Sequence, residues 1–202
     1  MEFVERNILN RCNAFDAAHN MVHVNRVIKA SIHLAKKMGV DIDMAYVVAA
    51  YHDLGLEKER ATHHLESGKI LKADKRLEQW FNAQQIDIMR QAVEDHRASA
   101  SRAPRNIYGK IVAEADRDLN PDSVFRRTIA YGLDHYPEKT HEEHWERFLE
   151  HMQQKYSAAG YIKLWIPGSD NEKDLAELRN IINNPQRLRQ KFESLYDELS
   201  TE

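Results

Sequence analysis

Cysteine is almost missing from this chain of 202 residues: Cys12 stands alone. No intrachain disulfide framework can therefore exist, and a reducing compartment is expected. Among Ile8, Leu9 and Phe15, Cys12 itself reads as plain core packing. Long apolar runs are also missing; none approaches the roughly 18 residues that a membrane span needs, so no membrane partner is expected. The start Met-Glu-Phe-Val-Glu-Arg has no basic opening, apolar centre or small-residue cleavage site, which argues against a secretory signal and for a cytoplasmic protein. Nor does one sign of charge dominate. With 29 basic and 32 acidic residues the net charge is −3, which offers no field for a nucleic-acid polymer. Internal repeats and low-complexity tracts are absent, and 42% hydrophobic content suffices for one sizeable core. The expected organisation is a helical core over residues 1–120, with helices of residues 121–202 packing on the same domain.

What the chain does have is helical periodicity along its whole length. Phe3, Val4, Ile8, Leu9, Cys12 and Phe15 make the apolar stripe of a first helix. Val24, Val27, Ile28, Ser31, Ala35 and Met38 make a second, closed by Gly39, a residue suited to a left-handed cap. From about Asp43 to His52 the sequence is apolar nearly all round, which predicts a central, buried helix. Thr62 is a candidate N-cap for a helix carrying His64, Leu65, Ile70 and Leu71. Ile86, Met89, Val93 and His96 share a further face, and after Pro104 another helix holds Tyr108, Ile111, Val112, Ala115 and Asp116. Later helices are predicted over Val124 to Leu133, around Trp145 to Met152, from Leu175 to Ile182, and from Pro185 through Leu199. Tyr161 to Trp165 reads as extended. The predicted fold class is all-α. Trp145, Phe148 and Met152, spaced at three and four, read as core or as the seam of a homodimer.

Titratable side chains carry the chemistry. The order along the chain is His23, His52-Asp53, His64, His96 and Asp116, with His63 the immediate neighbour of His64. Imidazoles mixed with carboxylates suit iron, zinc, nickel or manganese and favour a hydrolytic or dioxygen-activating centre. Several of these residues fall near predicted helix ends, where they can converge at one mouth of a bundle. Plainer roles compete: a lone His-Asp pair is ordinarily a helix-end hydrogen bond, His96 could cap its helix, one of His63 and His64 should face solvent, and His19 reads as a helix-start residue. Arg97, Arg102, Arg105, Lys110 and Arg117 bracket the presumed site, and guanidinium suits phosphate, although a solvated charged face is the ordinary reading. Arg26 is expected to pair with an acidic residue and brace the site.

These residues resemble the HD domain superfamily of metal-dependent phosphohydrolases, a likeness running from His19-Asn-Met-Val-His23-Val-Asn-Arg-Val through His52-Asp53 to Ala115-Asp116. The resemblance implies an HD-domain helical bundle with additional C-terminal helices, and metal binding by His23, His52, Asp53 and Asp116. The extra histidines look like those of the dinuclear branch, in which the aspartate of the pair bridges two ions. That extends metal binding to His64 and His96, with His63 as the fallback for His64, and implies two divalent transition-metal ions, among Fe, Mn, Ni or Zn. Asp53 is then the catalytic residue, and Arg97, Lys110 and Arg117 are the substrate-binding candidates for a nucleotide or small phosphorylated metabolite. The match departs from the family in places. Leu56 stands where many HD hydrolases carry lysine after His-Asp-Ile-Gly, Lys58 comes two residues later, and the Gly-Tyr-Pro signature of cyclic-dinucleotide phosphodiesterases is absent. Two other readings stay open at this point: a diiron oxygenase built on the same ligands, and a noncatalytic ligand-sensing module.

Overall fold

The computed structural model describes residues 21–99 and 102–201, together with Val4, Ile8 and Leu9. Most of the first predicted helix, with Cys12, His19 and their neighbours, lies outside the described residues; Val4, Ile8 and Leu9 are buried. The described residues contain helices and no strand, as the periodicity predicts. The helices are α1 (Met21–Met38), α2 (Ile42–Tyr51), α3 (His63–Ala73), α4 (Ala83–Glu94), α5 (Ile107–Asp116), α6 (Pro121–His135), α7 (His141–Tyr156), α8 (Asp170–Ile182) and α9 (Pro185–Ser200). The chain divides into two compact units, Met1–Arg117 and Asp118–Glu202. No described helix is long and apolar enough to cross a membrane.

The first unit is built around α2. Seven of its ten residues are buried, Met44, Ala45 and Val47 to Tyr51, because its sequence has no polar face to turn to water. Burying each valine is worth roughly 1.5–3 kcal/mol, so the helix has only one favourable position, inside. It packs against α1, α4 and α5. Both of its boundaries have clear causes. Before it, Gly39 takes φ 66, its N–H bonding to Lys36 O (3.3 Å) while the Val40 N–H bonds to Ala35 O (3.1 Å), the paired closure of a Schellman cap. Asp41 then caps α2 itself, its Oδ1 accepting from the N–H groups of Asp43 (2.9 Å) and Met44 (3.1 Å). At the far end the Tyr51 hydroxyl donates to Asp74 Oδ2 at 2.7 Å, which satisfies a phenol that is otherwise wholly buried.

The turn after α2 is the tightest spot in the unit. A Cβ on Gly55 would lie 2.0 Å from the carbonyl oxygen of His63, so only glycine lets the 3₁₀ turn Leu54–Glu57 press against the start of α3. The buried Ser67 hydroxyl closes the contact by accepting the Gly55 N–H at 2.8 Å. Thr62 occupies the N-cap position of α3, but its side chain does not cap. Its hydroxyl donates instead to Glu59 Oε2 at 3.1 Å. Asn82 and Gln85 form a reciprocal capping box on α4, and Asn106 Oδ1 accepts the Gly109 N–H at 3.0 Å to start α5.

The second unit, α6 to α9, has its own core of Phe125, Phe148, Met152, Tyr156, Leu178 and Phe192. Phe148 and Met152 are thus core residues of this unit. Asn120 and Asn184 cap α6 and α9, each followed by proline at the first helical position. The stretch predicted as extended, Tyr161 to Trp165, forms no strand and runs as irregular chain between α7 and α8.

Candidate metal centre

Helix ends of the first unit deliver six side chains to one place. His23 is the third residue of α1, His63 the first of α3 and Asp116 the last of α5; His52-Asp53 follow α2 directly, and His96 lies two residues past α4. Because these helix ends meet at one place, side chains from several elements can converge there.

Asp53 stands at the middle of the cluster, with one oxygen turned to each half. Its Oδ2 lies 3.1 Å from His52 Nε2 and 3.5 Å from His23 Nε2, while Asp116 Oδ1 approaches the same two nitrogens at 3.8 and 3.3 Å. Its Oδ1 lies 3.4 Å from both His63 Nε2 and His96 Nε2, which are 3.2 Å apart. Two atoms bound to one ion at about 2.1 Å and at right-angled or tetrahedral directions sit roughly 3.0–3.4 Å apart, so the half around Asp53 Oδ1 has the spacing of a coordination shell and the half around Oδ2 comes close to it, the His52–Asp116 approach of 3.8 Å being the longest. The ring orientations agree. Nδ1 of His52, His63 and His96 each lies 2.7 Å from the backbone carbonyl three residues earlier, of Ala49, Arg60 and Val93. A carbonyl can only accept, so Nδ1 carries the proton and the neutral ring keeps its Nε2 lone pair for the cluster. The donor set therefore fits a divalent transition metal, which these residues would hold.

The cluster also has a floor and a mouth. The side chains of His52 and His96 are 0% and 3% exposed, whereas Asp116 is 27% exposed and His23 and His63 lie between. Electrostatically it is a sink for positive charge. Burial works against charging His23, yet hydrogen bonds and charge from Asp116 and Asp53 outweigh it and raise the pKa to about 9. His52 is raised by the same carboxylates against its burial. Burial pushes the other way for Asp53 and Asp116, and both are nevertheless held well below the ordinary carboxylate range, Asp53 mainly by His52 and Asp116 mainly by its hydrogen bond with His23. Protons here occupy the electrostatic role a metal cation would take.

Arg26 braces this arrangement through backbone. Its guanidinium donates to the carbonyls of Ala115 (3.1 Å), Asp116 (2.8 Å) and Arg117 (3.3 Å), the open C-terminal end of α5, and so fixes where Asp116 stands. The acidic partner expected for it is therefore replaced by carbonyl oxygens.

Of the residues expected at the site, the structure brings together His23, His52, Asp53, His96 and Asp116, and it places His63 rather than His64 beside Asp53 and His96. Neighbours on a helix point about 100° apart, so only one of the pair can face the cluster. His63 is the one whose Nδ1 is held by Arg60 O, and its backbone packs directly on Gly55. His64 lines a separate cleft with Leu65, Arg97 and Arg102. Its pKa falls to about 4, through burial and then the neighbouring charge of Arg97, His96 and His63. Arg117, expected to bind substrate, is 7% exposed and turns back along α5 to donate to Ala113 O, which makes it a structural residue. Lys110, the other such candidate on α5, precedes Asp116 by six residues, which sets it about 9 Å away along the axis and on a different face. Arg105 is tied to Asp95 and Glu94, and Arg102 reaches Asp95 as well. Sequence reading also missed Gly55 and Ser67 as the contact that seats His63; the only signal was the glycine two residues after Asp53.

Residues 21–120 match the HD domain family. The crystal structure of a predicted HD superfamily hydrolase from an uncultured Thermotogales bacterium is similar in fold, with a TM-score of 0.50 at 23% sequence identity over 72% of this chain and 83% of that one. No curated protein matches the sequence.

Proposed function

We propose, on the match of residues 21–120 to the HD domain family, that the chain is a metal-dependent hydrolase of phosphoric esters, acting on a nucleotide or small phosphorylated metabolite. The observation that carries this reading is the position of Asp53, whose two oxygens each serve a separate histidine pair. Two divalent ions held there would lower the pKa of water toward neutrality and neutralise charge on phosphoryl oxygens. The protein's own part is to hold that arrangement rigid: His52 and His96 are immobilised by burial and by their Nδ1 hydrogen bonds, and Arg26 fixes Asp116 at the exposed side. Substrate would approach from that side, where Asp116, His23 and His63 retain some exposure.

The test begins with metal analysis of protein prepared without chelators or a polyhistidine tag. About two ions per chain and phosphate release under anaerobic conditions from a panel of phosphate esters are expected. The same donors in a diiron oxygenase would instead give substrate-linked oxygen uptake that depends on iron. Saturable ligand binding without turnover across the panel would point to a sensing module.

A further inference from the structure

His64 and Arg97 each directly follow one of the two histidines that share Asp53 Oδ1, and both line one cleft, which none of the six cluster residues lines, with the His64 ring 5.7 Å from that of His63. The cleft measures about 200 Å³, enough for an anionic group and a few further atoms and well short of a site that encloses a whole nucleotide. Its acidic lining is already matched. Glu94 takes Arg90 on one oxygen (2.5 Å) and Arg105 on the other (2.7 Å), and Asp95 accepts both the backbone N–H and Nε of Arg105 at 2.8 Å. Two groups are left over. Arg97 donates to the Ala61 carbonyl at 2.6 Å and has no carboxylate partner among the described residues, leaving most of its five N–H donors available. His64 Nδ1 is buried and has no hydrogen-bond partner, so Nε2 is the ring nitrogen through which this side chain can meet a ligand in the cleft.

We propose that His64 and Arg97 form the phosphoryl-binding subsite of this protein, holding the substrate's phosphate beside the half of the centre formed by Asp53, His63 and His96. The inference rests on the phosphohydrolase reading and adds a specific seat for the anion. Arg97 supplies charge and a planar pair of donors, and His64 supplies a directional hydrogen bond to one phosphoryl oxygen. The exposed Leu65, also in the lining, would border the non-ionic part of a small substrate.

The experiment is calorimetric titration of inorganic phosphate into the metal-loaded full chain, for the wild type, His64→Ala, His64→Gln, Arg97→Ala and Arg97→Lys, with metal content measured on each sample. Both alanine variants are expected to retain the wild-type metal content and to bind phosphate about tenfold or more weakly, as loss of a charge-assisted hydrogen bond predicts. His64→Gln and Arg97→Lys are expected to recover part of the affinity. Wild-type phosphate binding that persists unchanged in both alanine variants would overturn the subsite while leaving the hydrolase reading standing. A metal-loaded wild type that neither binds phosphate nor releases it from any ester would overturn both.

Discussion

At Asp53 one carboxylate serves four imidazoles, so its removal should act on both halves of the centre at once. Asp53→Ala is expected to lose both ions and all turnover, read by elemental analysis and phosphate release; full activity in that variant would contradict the bridging role. Adjacent histidines give a sharper test. His63→Ala should lower the metal content from about two ions to about one, whereas His64→Ala should leave it unchanged, and the reverse pattern would restore His64 as the ligand. pH supplies a third handle. The folded pKa of His23, about 9, lies above its ordinary 6.5, so in metal-free protein this group contributes stability that is complete below about pH 6.5 and lost as pH rises through about 9. The urea midpoint of chelated wild type should therefore fall between pH 6.5 and 9.5, and His23→Ala should flatten that slope. Metal uptake must displace the same proton, so it should weaken as pH falls.

At the scale of the element, the centre depends on how helices end. α2 is driven inside by an apolar surface with no polar face, and its last turn carries His52 and Asp53 into the core. The turn beyond it works only because Gly55 has no side chain. Gly55→Ala would place a methyl 2.0 Å from His63 O, forcing the turn and α3 apart. We expect a loss of about 1–3 kcal/mol in urea unfolding together with loss of one ion, the one near His63 and His96. Wild-type stability and metal content in this variant would show that the contact does not seat His63. The Asn82 and Gln85 capping box and the Asn106 cap set α4 and α5, the elements that carry His96 and Asp116. These caps were legible only as polar residues before apolar stripes. Thr62 shows the limit of that signal, since its hydroxyl prefers the Glu59 carboxylate to the helix N–H groups.

For the whole molecule, the six site residues all belong to the unit of residues 1–117, while residues 118–202 form a second compact unit with its own aromatic core. Metal binding should therefore stabilise the first unit selectively. In amide hydrogen exchange, chelation is expected to reduce protection in α2 and α5 while leaving the Phe148 and Phe192 core of α7 and α9 unchanged; equal loss in both units would show that they unfold together.

Composition and periodicity determined that the chain is helical and that α2 is central, while the order of histidines and aspartates and its resemblance to the HD superfamily picked out His23, His52, Asp53, His64, His96 and Asp116. Those properties are local: a helix needs only its own apolar spacing and end residues to be recognised, and a donor set needs only its residue types. Tertiary structure decided the rest. Whether His63 or His64 faces Asp53 depends on a rotation of about 100° that adjacent positions cannot encode by spacing, and that rotation is set by Gly55 and Ser67 across a packed contact. Arg26 against the end of α5, Arg117 folded into the core and the unmatched pair His64 and Arg97 are likewise results of packing, because a charged residue's partner is whichever group the fold brings within hydrogen-bonding distance.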